Sequence, residues 1–296
     1  MKPEAQEAID PRWLVTVEDL PLIARSVVHG FLSGLHRSPW LGHGSEFASY
    51  RPYIQGDDLR RVDWKVWGRT DRLFVKECLN ERNLRVHLVL DATASMDFGQ
   101  PSKIRYARAA AASLAYLCLH QNDAVGLTCL GQTAELLLPP SSSNRQMEEL
   151  LLELVRRETG GHAELSDAEK ELGALLEKRG MLVLLSDLLV PAEAFAAFLQ
   201  TLSARDQEVV VFRILCPEEI DLPLHDAVLM EDVETGAKVR VDPDEFRERY
   251  RSSFAKHRSE LRRISEDFEA DLVECRTDEP LDEILITYLD RRWRTF

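Results

Sequence analysis

The hydrophobic pattern is most distinct in two runs, 86–90 and 181–185, each short, apolar and closed by polar residues: Asp91 after the first, Ser186 and Asp187 after the second. Runs of this length bounded by polar groups predict strands buried on both faces. Between and beyond them, 104–120 reads as an Ala-rich helix, 124–129 as a strand, and 134–138 as a strand stopped by Pro139 and Pro140. Acidic amphipathic helices are expected over 143–157 and 166–178, the second with Ser166 as N-cap and Glu169 completing a capping box. A helix over 191–203, a buried strand over 208–215, a hairpin over 228–241, a long charged helix over 243–269, a strand over 271–275 and a last helix over 281–292 follow. Strands alternating with helices predict an α/β fold: a mostly parallel sheet with helices on both faces, in three layers.

The first 84 residues are less regular. Residues 1–20 read as a loose arm, and Leu22, Ile23, Val27, Phe31, Leu32 and Leu35 follow helical spacing before Pro39. Gly56-Asp57-Asp58 predicts a turn into a helix cap, with Leu59, Val62 and Val66 on one helical face; 73–77 reads as a strand. Trp13, Trp40, Trp64 and Trp67 lie here among arginines and aspartates, a composition expected of packed aromatics with internally paired charges. Segment 1–84 has too few periodic elements for a core of its own. It is expected to pack on a main domain spanning 85–296, its strands lying beside the 228–241 hairpin.

Composition narrows the function. With 296 residues and 45% hydrophobic content the chain can bury a substantial core, and no apolar run approaches the roughly 18 residues that span a bilayer, so a cytoplasmic protein is expected. Five widely spaced cysteines offer no C-x-x-C pair for zinc or redox chemistry. The net charge of −14 is carried after the first buried strand, because residues 1–85 hold 13 Lys+Arg against 12 Asp+Glu. This balance disfavours nucleic acid as a partner.

Chemistry is expected where the two buried strands stop. Ligands of open α/β sheets bind outside the carboxyl ends of the strands, and there Asp91, Thr93 and Ser95 present oxygens at alternate positions. Such a set suits a hard cation, Mg²⁺ or Mn²⁺; it also suits a plain helix cap. If the two strands are neighbours, Asp187 joins Asp91, and a cation would relieve the repulsion between them.

The strand followed by D-x-T-x-S, the Ala-rich helix and the later Ser-Asp resemble a von Willebrand factor A (vWA) domain with its metal-ion-dependent adhesion site. The resemblance implies a Rossmann-like three-layer fold, with Asp91, Thr93 and Ser95 contacting Mg²⁺ and Asp187 joining through water. The stretch Arg51-Pro52-Tyr53-Ile54-Gln55-Gly56-Asp57-Asp58, followed by Arg60-Arg61-Val62-Asp63-Trp64 and Gly68-Arg69, is similar to the signature of a bacterial family, number fifty-eight among the domains of unknown function. That signature directly precedes a vWA domain. One departure stands out: where the resemblance implies a Gly-Gly-Thr loop supplying a further hydroxyl, this chain has Thr159-Gly160-Gly161-His162. Thr159 or Ser166 is then the substitute if the loop is displaced, or His162, a further candidate ligand, leaves a weaker or metal-free site.

The resemblance implies a non-enzymatic adaptor whose cation engages an Asp or Glu of a partner or client protein, working with a MoxR-type AAA+ ATPase. The chain has no Walker-A motif, so ATP hydrolysis would belong to that partner. Arg60 and Asp63 are candidates for docking it. Two alternatives stand beside this reading: a metal-free scaffold, and a Mg²⁺-dependent phosphoryl-transfer enzyme with Asp91 as nucleophile, which would lack the second Asp of a D-x-D motif because Thr93 holds that position.

Overall fold

The computed structural model describes residues 20–22, 24, 25, 28, 47–54, 62–78, 84–162, 164–172, 179–222, 228–231, 238–241 and 243–293. Two compact units divide the chain: Ser33–Asn83, and Met1–Leu32 together with Leu84–Phe296.

In the smaller unit, β1 (Phe47–Pro52), helix α1 (Trp64–Thr70) and β2 (Phe74–Cys78) follow one another, and the strands pair antiparallel. The helix starts at Trp64 because Asp63 caps it, one carboxylate oxygen accepting the N–H groups of Lys65 at 2.9 Å and Val66 at 3.2 Å. Val62, expected on a helical face, therefore lies outside the helix and forms a buried bridge to Val75. Leu59 and the expected turn at 56–58 fall outside the described residues.

The larger unit runs β3 (Arg85–Asp91), a 3₁₀ turn (Ala94–Asp97), α2 (Lys103–His120), β4 (Ala124–Leu130), β5 (Ala134–Ser141), α3 (Gln146–Arg156), α4 (Leu165–Leu172), β6 (Gly180–Ser186), α5 (Ala192–Ser203), β7 (Gln207–Leu215), α6 (Pro217–Asp221), β8 (Val228–Glu231), β9 (Lys238–Val241), α7 (Pro243–Asp267), β10 (Asp271–Arg276) and α8 (Leu281–Trp293). Six strands form one sheet in the order β10-β7-β6-β3-β4-β5, parallel throughout except that β5 runs antiparallel to β4. Counted within the sheet this is the doubly wound order 3-2-1-4-5-6, whose direction of growth reverses between β3 and β6. The fold is the Rossmann-like, three-layer α/β class expected from the sequence.

Both faces of the sheet are covered because the central strands are apolar at most positions. Leu182 and Leu184 of β6 and Val209 and Val211 of β7 share one core with Phe195, Phe198, Leu199 and Leu202 of α5, Leu165 and Ala168 of α4, and Leu261 and Ile264 of α7. The alternate residues turn to the opposite face, where Phe212 meets Tyr288 of α8 edge to face at 5.3 Å. There α2 lies on β3 and β4 with Ala107, Ala109–Ala112 and Ala115 fully buried, side chains small enough to let the helix approach closely.

Several expected boundaries shift for local reasons. Strand β5 runs through Pro139 and Pro140 rather than stopping there, which an edge strand tolerates because one side of its backbone needs no ladder donor. Helix α3 starts at Gln146, whose buried amide donates to the carbonyls of Val125 and Pro139 at 2.7 and 3.1 Å. Ser166 lies inside the first turn of α4 rather than capping it, and its hydroxyl donates to the Glu164 carboxylate at 3.2 Å. Near the N-terminus Leu20, Ala24 and Val28 are the buried positions of a helical stretch, whereas Leu22, assigned to the apolar face from spacing, is exposed. Strands β1 and β2 pair with each other, and β8 and β9 form a second two-stranded sheet. No helix among them is long and apolar enough to cross a membrane.

His87 interrupts the apolar run of β3. It is buried, its Nε2 lies 2.8 Å from the Thr128 hydroxyl, and its cross-strand neighbour is Gly126, where any Cβ would sit 2.7 Å from the imidazole Nδ1. Burial lowers its pKa from 6.5 to about 4. The unfolded chain therefore binds the extra proton between these values, so this contribution to stability is complete above about pH 6.5 and is lost as the pH falls toward 4. Chemical denaturation at pH 7 and pH 5 should show the stability difference between the two shrinking by roughly 2 kcal/mol in His87→Gln. An unchanged difference would mean that another group carries the acid sensitivity.

Candidate functional site

Strands β3 and β6 are hydrogen-bonded parallel neighbours, with Leu90 opposite Leu185, so the polar residues that follow them emerge side by side at the reversal of strand order. The carboxylate of Asp91 is buried there. Its Oδ1 accepts the main-chain N–H of Thr93 at 2.9 Å and the Thr93 hydroxyl at 2.7 Å, while its Oδ2 accepts the Ser186 hydroxyl at 2.6 Å. Thr93 Oγ1 lies 3.2 Å from Ser95 Oγ, and both hydroxyls are buried. Burial, and after it the charge of Asp187, raise the Asp91 pKa; the bonds from Ser186 and Thr93 oppose but do not cancel this.

Asp187 is 2% exposed and is held on every side. Its Oδ1 accepts the Leu189 N–H at 3.2 Å, its main-chain carbonyl accepts Nε of Arg213 at 3.3 Å, and its Oδ2 accepts Nζ of Lys103 at 2.7 Å. Lys103 is fully buried and bonds Glu219 with the same ammonium. Burial alone would lower the Lys103 pKa, but the charges of Asp187 and Glu219 outweigh it and raise the pKa. Glu219 is fixed in turn, its Oε2 accepting the Cys216 N–H at 3.1 Å and its main-chain carbonyl accepting the Tyr250 hydroxyl at 2.7 Å. Arg213, also fully buried, extends past Asp187 to Glu274, 3.6 Å away, and over the Phe254 ring at 5.4 Å.

The loop before α4 meets the Asp91 loop through backbone. Gly160 N–H donates to the Ala92 carbonyl at 2.9 Å and Ala94 N–H to the Gly161 carbonyl at 3.2 Å. Gly161 has φ +73°, and a Cβ there would fall 2.5 Å from Cα of Gln132, so both conformation and space call for glycine. Thr159 lines a cleft of about 640 Å³ with Gln132, Glu135, Glu153 and Arg157, and His162 is exposed. Asp91, Thr93 and Ser95 are thus brought into direct contact with one another and Asp187 lies next to them; the recorded partners of the Asp91 carboxylate are Thr93 and Ser186, not Thr159 or His162. Asp63 serves as the cap of α1, and Arg60 lies outside the described residues.

The sequence pointed to Ser186 only as the residue before Asp187, and did not point to Lys103, Arg213 or Glu219. A signal existed for two of these three. Arg213 interrupts an otherwise apolar strand, and Lys103 puts a positive charge in the first turn of a helix, where the dipole disfavours it. Among the described residues there is no group of three or more His, Cys, Asp or Glu side chains able to hold a metal.

Residues 49–260 match the family described as protein of unknown function DUF58. Relatives that are 31% identical over 277 residues, 91% of this chain and 86% of theirs, include uncharacterized proteins of Mycobacterium tuberculosis and Mycobacterium bovis. Similar solved structures include the conserved hypothetical protein BatB from Bacteroides thetaiotaomicron, at TM-score 0.44 and 14% identity over 71% of this chain and 99% of that one. The SpRpn10 VWA domain matches at TM-score 0.43 and 10% identity, over 68% and 94%.

Two substitutions test these roles. Ser186→Ala removes the donor to Asp91 and also the acceptor of the Leu188 N–H (3.0 Å), and should destabilise by about 1–3 kcal/mol in a denaturant titration. Asp63→Ala should cost about 1 kcal/mol while Asp63→Asn, which keeps the capping oxygen, costs a few tenths at most. Equal losses in both would point to the charge of Asp63 rather than its cap.

Proposed function

The chain belongs to the DUF58 family, and we propose that it is a non-enzymatic, protein-binding adaptor of the vWA kind whose contact point is a divalent cation held by Asp91, Thr93 and Ser95. The observation that carries this reading is the spacing of three oxygens. Asp91 Oδ1 to Thr93 Oγ1 is 2.7 Å and Thr93 Oγ1 to Ser95 Oγ is 3.2 Å. Adjacent ligands of octahedral Mg²⁺ stand about 2.9 Å apart, given metal–oxygen distances of 2.0–2.1 Å. The donor set is all oxygen, as Mg²⁺ or Mn²⁺ requires, and Asp187 adds negative charge beside it. When bound, the cation supplies a positive charge with an open position that an Asp or Glu of a partner completes.

A protein surface, rather than a small solute, suits what surrounds the site. Phe98, 46% exposed, follows the 3₁₀ turn, and Leu189, 52% exposed, follows Asp187. Apolar side chains left in solvent beside a polar centre resemble the anchors of protein interfaces. The partner proposed is a MoxR-type AAA+ ATPase, or a client it remodels, meeting the adaptor in the cytoplasm; the absence of a Walker-A motif from the chain assigns nucleotide hydrolysis to that partner. A phosphoryl-transfer reading is weaker because Thr93 stands where a general acid is needed and serves Asp91 as a hydrogen-bond donor.

Calorimetric titration of chelator-treated protein with Mg²⁺ and Mn²⁺ tests the reading. Asp91→Ala should weaken binding by more than roughly a hundredfold, beyond the range seen when only a ligand's supporting partner is lost. Capture of the ATPase encoded by the same organism should require the divalent ion and fail in chelator. Undetectable metal binding by the folded wild-type protein would overturn the cation-dependent mechanism.

A further inference from the structure

The two carboxylates at the strand reversal are provided for differently. Asp91 is met only by neutral donors, the Thr93 and Ser186 hydroxyls and the Thr93 N–H. Asp187 is met by a cation of the chain itself, the ammonium of Lys103 at 2.7 Å, with no solvent-exposed surface on the lysine side chain. This is no surface lysine folded over a carboxylate. It is the first residue of α2, and its second partner, Glu219, belongs to another helix and is anchored by the Cys216 N–H and the Tyr250 hydroxyl. A buried ammonium at a helix N-terminus is opposed by both desolvation and the helix dipole, so its persistence there requires both carboxylates.

We infer that Lys103 is the resident cation of this site: it occupies Asp187, confines divalent-metal binding to Asp91, Thr93 and Ser95, and keeps that binding weak. The inference rests on the proposed metal site. Two carboxylates facing one divalent ion would balance its charge, whereas here the Lys103 ammonium, shared between Asp187 and Glu219, offsets the charge that Asp187 would offer the metal. Affinity for the metal is then limited by a lysine that touches none of these three ligands and acts through Asp187. A partner carboxylate supplies the missing negative charge, so metal and partner bind with mutual dependence rather than in sequence.

The test is titration with Mn²⁺ and Mg²⁺ of the wild-type chain, of Lys103→Met, and of Lys103→Met combined with Glu219→Gln, each accompanied by a melting curve. The double variant removes the charge together with its second partner, so that no carboxylate but Asp187 loses its ion pair if the single variant does not fold. Loss of the ammonium should tighten metal binding roughly tenfold or more. A purely structural lysine predicts the opposite, unchanged or weaker binding. Wild-type binding that is not tightened in a folded variant would overturn the inference and leave the metal site standing. Binding by a variant with none by the wild type would support the inference and overturn the metal-dependent reading of the native chain. Binding by neither would overturn both.

Discussion

The interaction on which this structure turns is the enforced proximity of two carboxylates. A parallel pairing of β3 with β6 sets Asp91 and Asp187 at adjacent strand ends, under helices that exclude water, where neither charge is tolerated without compensation. The compensation comes from far along the chain. Lys103 from α2 and Arg213 from β7 meet Asp187, Glu219 from α6 holds Lys103 from its other side, and Tyr250 of α7 closes on Glu219. Helices from opposite faces of the sheet are thereby tied to one point at its carboxyl edge. Removing one member of such a buried set leaves an uncompensated charge, typically a loss of about 3–5 kcal/mol, which makes this cluster a structural joint.

That joint explains which parts of the site were legible in the sequence. Asp91, Thr93 and Ser95 lie within five residues, and their alternation at the end of an apolar run declares a common direction. Asp187 was legible for the same reason, as a carboxylate ending a buried strand, although its adjacency to Asp91 depended on a strand order that periodicity does not encode. Lys103 and Glu219 were not legible as a pair, because they meet across more than a hundred residues and each looks like an ordinary surface charge on an acidic protein. Polar side chains that interrupt apolar runs were the usable clue. His87 in β3 and Arg213 in β7 both do so, and both are buried with specific partners rather than tolerated at an edge.

The fold was more legible than the site because apolar period and length decide strand against helix directly. Its boundaries failed where one side chain or sheet position overrode the pattern. Asp63 moved a helix start past Val62, Gln146 fixed the start of α3 through two main-chain carbonyls, and the edge position of β5 admitted two prolines. None of these follows from hydrophobic spacing. Each follows from where backbone hydrogen-bonding groups find partners.

The departure at His162 bears on the site differently from what residue identity alone suggests. The loop that carries it is held to the Asp91 loop by two main-chain bonds, at Gly160 and Gly161, and its shape is fixed by the positive φ of Gly161 and its close approach to Gln132. None of these contacts depends on the side chain at position 162. For the proposed cation site, an imidazole where the resemblance implies a hydroxyl would offer a hard cation a less suitable donor. With Asp187 already facing an ammonium, the oxygens left for a cation are those of Asp91, Thr93 and Ser95. In the proposed adaptor, three such ligands would hold a divalent ion loosely until a partner's acidic side chain joined them.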